Sequence, residues 1–255
     1  MRRVWLAAAA AAVACAQTPT ETIGPTVGVP TAAHGGVLVV GRAAPASARD
    51  ARWCRRNVAT LKAGGARAAW RGAGSDARAH VVSRGGPAPE AAASWIAAAE
   101  AYAAANGGWN STRHAFHPTR DVPASLLPAG GEIFSWLDRS LLPALAGVFS
   151  ADAESLSARD VFLVKYEGGE GLEDHADGSA YSFSAPLNDA FGGGGTAFAY
   201  LGGAPVCVAV GDALVHAGAL VHAGAPVTAG TRYLLVGFVA RATGGAAARY
   251  VAPDS

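Results

Sequence analysis

Apolar positions follow two different spacings along the chain. Before residue 150 they recur at helical intervals. Across Pro89 to Asn106, Trp95, Ile96, Ala99, Tyr102 and Ala103 fall on one side, Pro89 and Glu90 suit a first turn, and Gly107-Gly108 ends the run. Across Glu132 to Phe149 the same spacing returns in Ile133, Trp136, Leu137, Leu141, Leu142, Leu145 and Phe149. Two helices are predicted, with an alternating segment from Trp109 to His117 predicting a strand between them. From Val161 onward the pattern is that of strands. They are predicted at Val161–Val164, Tyr181–Leu187, Thr196–Leu201, Ala204–Val210, Leu214–His216, Leu220–His222 and the long Thr231–Ala240. Gly192 to Gly195 reads as a tight turn. Short strands with turns between them predict a sandwich or barrel, and helices placed ahead of them predict an α+β fold with helices supporting one face of a sheet.

Composition adds 33 Gly and 14 Pro in 255 residues, which suits a turn-rich fold, and 51% hydrophobic residues, ample for a core. A formal net charge of +1 provides no whole-molecule field for nucleic acid or a membrane surface. Arg2 and Arg3, the apolar Val4 to Val13 and the small-x-small Ala14-Cys15-Ala16 predict a signal peptide over 1–16, cleaved before Gln17. That run is short for a membrane span, so the expected location is the secretory pathway, in the ER/Golgi lumen or outside the cell. Residues 17–87 read as a linker, with a short strand at Val37–Val40, and a basic segment. From Arg42 to Arg84 nine arginines and Lys62 face only Asp50 and Asp76, as on a solvated basic surface. A domain over 88–245 and a tail over 246–255 complete the division. Cys54 and Cys207 would remain after cleavage, either as a pair or with Cys207 as a buried thiol in an apolar strand. Asn110-Ser111-Thr112 is a glycosylation sequon.

Candidate chemistry lies between Tyr166 and Arg232. His175 and Asp177 are two residues apart, so in an extended chain their side chains share a face and can approach one ion. A further histidine would complete two imidazoles and one carboxylate, a set that leaves positions open on a non-haem Fe(II) ion. His216 and His222 are both available. His222 stands ten residues before Arg232 across a Pro/Gly turn, which would put the two on neighbouring strands, whereas His216 reads as a packed strand histidine. Arg232 shares a strand face with Leu234, Val236 and Phe238. If that face is inward, an uncompensated guanidinium costs on the order of several kcal/mol. No acidic residue lies on the strand, and a ligand carboxylate gripped bidentately would supply the partner. Tyr166 is either a ligand-facing hydroxyl or a strand-end aromatic of the core. Trp109, Arg113, His114 and Asp121 read as core packing and ordinary strand polarity rather than as a substrate groove.

Tyr166, His175 with Asp177, Gly192-Gly193-Gly194-Gly195-Thr196-Ala197-Phe198, His222 and Arg232 together resemble the 2-oxoglutarate- and Fe(II)-dependent dioxygenases, in the branch similar to prolyl 4-hydroxylases. The resemblance covers about Asp160 to Ala240, and more loosely Trp109 to Phe149. Collagen-type members commonly carry lysine where Arg232 stands. Nucleic-acid demethylases of the superfamily carry a second arginine six residues on, where this chain has Phe238. The resemblance implies a double-stranded β-helix, or jelly roll, with His175, Asp177 and His222 ligating Fe(II). It implies Arg232 and Tyr166 on the distal carboxylate of 2-oxoglutarate, O2 as the other co-substrate, and ascorbate as a further cofactor. No catalytic residue beyond the metal ligands is expected. The implied reaction is hydroxylation of a C–H bond, of a peptidyl proline or similar protein side chain, with release of succinate and CO2. The alternatives are a small-metabolite hydroxylase of the same superfamily and a cupin-like binding barrel without turnover. An inward arginine separates the oxygenases from the barrel, which has no need of one.

Overall fold

Two antiparallel sheets face each other, and helices cover the outer side of the larger one. The computed structural model describes residues 79–242 other than 83, 110–111, 115–116 and 202–204. The predicted leader, the Val37–Val40 strand, the basic segment up to residue 78, Cys54, Asn110 and the tail 246–255 lie outside the described residues. In chain order the elements are β1 (Ala79–Val82), α1 (Pro89–Ala105), β2 (Arg120–Pro123), α2 (Gly130–Trp136), α3 (Leu142–Phe149), β3 (Leu156–Glu167), β4 (Leu172–His175), β5 (Tyr181–Pro186), β6 (Phe191–Gly193), β7 (Thr196–Phe198), β8 (Pro205–Val206), β9 (Ala213–Ala217), β10 (His222–Gly224) and β11 (Val227–Arg241). The larger sheet runs β1-β9-β5-β11-β3-β2, with β6 also paired to β11, and the smaller runs β4-β10-β7-β8. This is a double-stranded β-helix, or jelly roll. No helix among the described residues is long and apolar enough to cross a membrane.

Strand alternation divides the larger sheet into two apolar faces. Leu235 and Val239 of β11, Val161 and Leu163 of β3, and Tyr181, Phe183 and Ala185 of β5 join one core with Trp95, Ile133, Leu137, Leu141, Leu145 and Phe149 of the helical layer. The predicted helical stripes are therefore what covers this face. The opposite face carries Phe162, Val164, Tyr166 and Leu234, clustered with Phe191 and Val227, and looks toward the smaller sheet. Each fully buried side chain of this size is worth about 1.5–3 kcal/mol.

β11 lies between β3 and β5, with Gly237 opposite Val161 and Phe183. A Cβ at Gly237 would run into the Phe183 ring and come within 3.1 Å of the Asp160 carbonyl. Phe183 is itself almost fully buried. We expect Gly237→Ala to destabilise the fold by about 1–3 kcal/mol, read as a lowered denaturation midpoint with an unchanged m-value.

Several sequence expectations shift. The strand predicted over Trp109–His117 does not form among the described residues, and β2 takes its place beside β3. The side chains of Trp109, Arg113 and His114 are engaged elsewhere: Trp109 Nε1 donates to Glu100, and Arg113 and His114 meet carboxylates. The single helix predicted over Glu132–Phe149 begins at Gly130 and opens into a π-turn at Leu137–Leu141 before α3. Pro143 has no N–H for the regular ladder, and the wider turn sits just ahead of it. The strand predicted at Ala204–Val210 is only β8, at an edge, where Pro205 forfeits no interior ladder bond. The strand predicted at Leu220–His222 instead starts at His222.

Candidate metal centre and active-site cavity

His175 ends β4 and His222 begins β10, and the two are directly paired across the smaller sheet. Their ring centroids are 4.3 Å apart. Asp177 follows β4 in a loop held by its backbone N–H donating to the Gly218 carbonyl. One donor atom from each of the three lies within 4.8 Å of the others. Asp177 carboxylate oxygens stand 3.6 Å from His175 Nε2 and 3.7 Å from His222 Nε2, too far for hydrogen bonds. Both Nδ1 atoms are committed: His175 Nδ1 is 2.7 Å from the Glu173 carbonyl and His222 Nδ1 is 2.8 Å from the Leu220 carbonyl. Nδ1–H donation to a carbonyl fixes the tautomer that leaves the Nε2 lone pair for a metal. Burial holds His222 below the ordinary histidine range, with Asp177 opposing, so it is neutral at pH 7, as a ligand must be. Two imidazoles and a carboxyl group, spaced for an ion among them, fit a divalent iron with open positions.

His216 lies one step further in. Its ring is 4.4 Å from that of His222, and it is buried, with its pKa pushed down to about 4 chiefly by desolvation. It packs against Phe198. Of the two histidines that the sequence left open, His222 joins His175 and Asp177.

Arg232 lies on β11 of the larger sheet, so it is not on a strand neighbouring His222 within one sheet, as the spacing predicted. The two instead come from facing sheets and line the same cavity, of about 460 Å³. Arg232 is 5% exposed and pairs in register with Tyr166 of β3. Its guanidinium lies 6.0 Å from the Tyr166 ring centroid and 5.8 Å from that of Phe191, and Nη1 donates to the Gly195 carbonyl at 3.3 Å. The glycine run makes this approach possible. Gly193, Gly194 and Gly195 all have positive φ, and a Cβ on Gly194 would sit 3.0 Å from Arg232 Cδ. Burial pushes the Tyr166 phenol up to about 12 against the opposing charge of Arg232, so its hydroxyl keeps its proton. Tyr166 and Arg232 both line the cavity, and a hydroxyl and a guanidinium on neighbouring strands suit a carboxylate.

No protein-family model matches the sequence, and no curated protein sequence matches it. Solved structures do. A viral collagen prolyl hydroxylase from Paramecium bursaria Chlorella virus-1, in its 2-oxoglutarate complex, aligns with a TM-score of 0.50 at 15% identity, over 65% of this chain and 96% of that one. The fold is that of the 2-oxoglutarate/Fe(II) oxygenases. A Pseudomonas putida prolyl-4-hydroxylase aligns at 0.49 and 17% identity, over 64% of this chain and 92% of that one. An oxidoreductase of the 2-oxoglutarate-Fe(II) oxygenase family from Burkholderia pseudomallei aligns at 0.43 and 22%, over 51% and 68%.

Sequence reasoning set aside a group that the structure places on the cavity wall. Arg113, His114 and Thr119 line the cavity beside Phe162 and Phe238. Arg113 donates to Asp121 through Nη1 and to both oxygens of Asp160 through Nη2, at 2.8 Å each. His114 Nδ1 is 3.0 Å from Asp121, whose side chain is fully buried and also accepts from Thr119 Oγ1 at 2.8 Å. Asp121 is in register with Val164, which puts it on the cavity side of β2, and Asp160 stands at a register shift in the β3–β11 ladder. Only the pairing of β2 with β3 reveals that these side chains converge. Asp121 sits 39 residues before Asp160, and nothing in the local pattern links them.

The hydrogen bond from His114 to Asp121 and the Asp160 carboxylate 3.5 Å from its Nε2 raise its pKa to about 9 against the cost of burial. Because the folded value is raised above the unfolded one, the stabilisation is fully present below the unfolded pKa of about 6.5 and is lost as pH rises through about 9. Discounted for a part-exposed site, the contribution is about 1–2 kcal/mol. Chemical denaturation at pH 6.5 and 9.5 should show the wild type losing stability relative to His114→Gln. Parallel curves would remove the charge on His114.

Proposed function

We propose that this chain is an Fe(II)- and 2-oxoglutarate-dependent dioxygenase that hydroxylates a C–H bond of a peptidyl proline or similar protein side chain, releasing succinate and CO2. The observation that carries this reading is the convergence of His175, Asp177 and His222 in the cavity that also holds the buried Arg232. In this reading His175 and His222 hold iron through Nε2 and Asp177 through a carboxylate oxygen. Held there, iron would supply the redox chemistry that couples oxidative decarboxylation of 2-oxoglutarate by O2 to oxygenation of the substrate, one oxygen atom ending in succinate and the other in the hydroxylated product. Arg232 and the Tyr166 hydroxyl grip the distal carboxylate of 2-oxoglutarate and fix its orientation. The Glu173 and Leu220 carbonyls keep the imidazoles turned for ligation. Phe162, Val164, Leu234 and Val236 form an apolar wall that limits water beside the reacting C–H bond. A secretory location and a role for ascorbate belong to the same reading.

The test is succinate release from 2-oxoglutarate with Fe(II) and O2, screened over proline-rich peptides and small organic acids. Peptide-stimulated release is expected. Stimulation by small acids alone would move the substrate to a metabolite, and no release under any condition would remove the oxygenase.

A further inference from the structure

The quartet Arg113, His114, Asp121 and Asp160 is more than a structural clasp, because two of its members form cavity wall. Its donors are unequally used. Both terminal nitrogens of Arg113 are taken by carboxylates, and His114 Nδ1 by Asp121. His114 Nε2 has only Asp160 at 3.5 Å, at the outer limit of a hydrogen bond. A better-placed acceptor inside the cavity can take that N–H.

Charge selects the acceptor. With His114 protonated, two positive and two negative groups cancel. A neutral acceptor keeps that balance, while an added carboxylate would leave a net negative charge in a half-buried site and bring desolvation cost without a matching cation. Packing selects what surrounds the acceptor. The His114 ring lies 4.7 Å from that of Phe162 and 6.3 Å from that of Phe238, and those two rings are 5.7 Å apart, edge to face. The Arg113 guanidinium also lies over the Phe162 ring, 5.3 Å from its centroid. The donor is therefore set into an aromatic wall that suits a compact apolar ring.

Resting on the oxygenase reading above, we propose that His114 Nε2–H is the substrate-orienting donor of the cavity, and that it takes a neutral amide carbonyl oxygen adjoining an apolar ring. His114 is a positioning residue here. Asp121 and Asp160 hold its ring, and Arg113 holds the two carboxylates.

The experiment uses two probes that differ only at the carbonyl group borne by an apolar ring: N-methylcyclopentanecarboxamide, the methylamide, and cyclopentanecarboxylic acid, the free acid. Each is titrated, to millimolar excess, into the full chain with Zn(II) and 2-oxoglutarate added, while the His114 ring nitrogens are followed by 15N NMR. The methylamide should shift the Nε2 resonance and bind at least about tenfold more tightly than the free acid, a difference of about 1.4 kcal/mol. His114→Gln, with its fold checked by circular dichroism, should lose that preference. An equal response to the free acid, no response to either probe, or a preference that survives in His114→Gln would overturn the proposal. Succinate release by the Fe(II)-loaded wild type reports separately on the oxygenase reading. Release with a silent His114 sinks the subsite alone, and a responding His114 without release sinks the oxygenase alone.

Discussion

Asp177→Ala should lose Fe(II) binding by two to three orders of magnitude and, with it, 2-oxoglutarate turnover, while the apo protein keeps its fold. The carboxylate is the one anionic donor of the three. His222 is held neutral by burial, so a dication placed among these groups draws its charge compensation from Asp177. Removing one partner of a buried charge pair costs about 3–5 kcal/mol, which is about 10²- to 10³-fold or more in Kd. The fold should survive because the loop is held by main chain: the Asp177 N–H donates to the Gly218 carbonyl, and the Gly218 N–H donates to the Ala180 carbonyl. The Asp177 oxygens are 3.6 and 3.7 Å from their imidazole neighbours, so truncation breaks no hydrogen bond to them. Isothermal titration of Fe(II) under anaerobic conditions, with thermal denaturation of the apo form alongside, separates the two effects. Wild-type affinity in the variant would remove Asp177 from the metal centre. A collapse of the apo form would give it a structural role instead.

The parts of this architecture that the sequence shows are those where local spacing and final environment agree. α1 is written in Trp95, Ala99 and Ala103, which are all buried in the helix, and β11 in a long alternation whose two faces really do enter two different cores. Arg232 is legible because an inward guanidinium is costly without a partner. His-x-Asp alone is a weak signal that a solvated loop can equally carry, and it gains weight only beside Arg232. What stayed hidden is set by pairing between distant segments. Nothing near His222 states that its partner on one side is His175 and on the other Phe198. The Pro/Gly turn after His222 reads as a hairpin within one sheet, yet the chain crosses there from the smaller sheet to the larger. The 109–117 segment misled for a related reason. Among its described residues the alternation of aromatic and polar positions forms no ladder, and Trp109, Arg113 and His114 are held by Glu100, Asp121 and Asp160. Asp121 looked like ordinary strand polarity, but its carboxylate is fully buried and holds two cations on the cavity wall. A buried carboxylate announces itself only through its partners.

Arg232→Leu should raise the KM for 2-oxoglutarate by about 30-fold to several thousand-fold, the equivalent of about 2–5 kcal/mol, and leave Fe(II) affinity near the wild-type value. The guanidinium is not a surface charge that water can replace. It is 5% exposed, lies between the rings of Tyr166 and Phe191, and has Nη1 set on the Gly195 carbonyl. That frame holds a planar fork on the cavity lining, on a strand position paired with Tyr166, whose hydroxyl keeps its proton. A dicarboxylate that reaches it exchanges water for charge-assisted bonds in a low-dielectric setting, where such bonds are strongest. Leucine fills much of the same volume and continues the face of Leu234, so the lost term is recognition rather than packing. Arg232→Lys is the informative companion. It keeps the charge and loses the fork, and should fall between the two, about tenfold above the wild-type KM. The metal set is on the smaller sheet and its adjoining loop, so its affinity should not follow. Steady-state kinetics at saturating Fe(II), with KM and kcat resolved, distinguishes the outcomes. Unchanged KM in Arg232→Leu would move the carboxylate site elsewhere. A parallel loss of Fe(II) binding would mean that the substitution had disturbed both sheets instead of removing one contact.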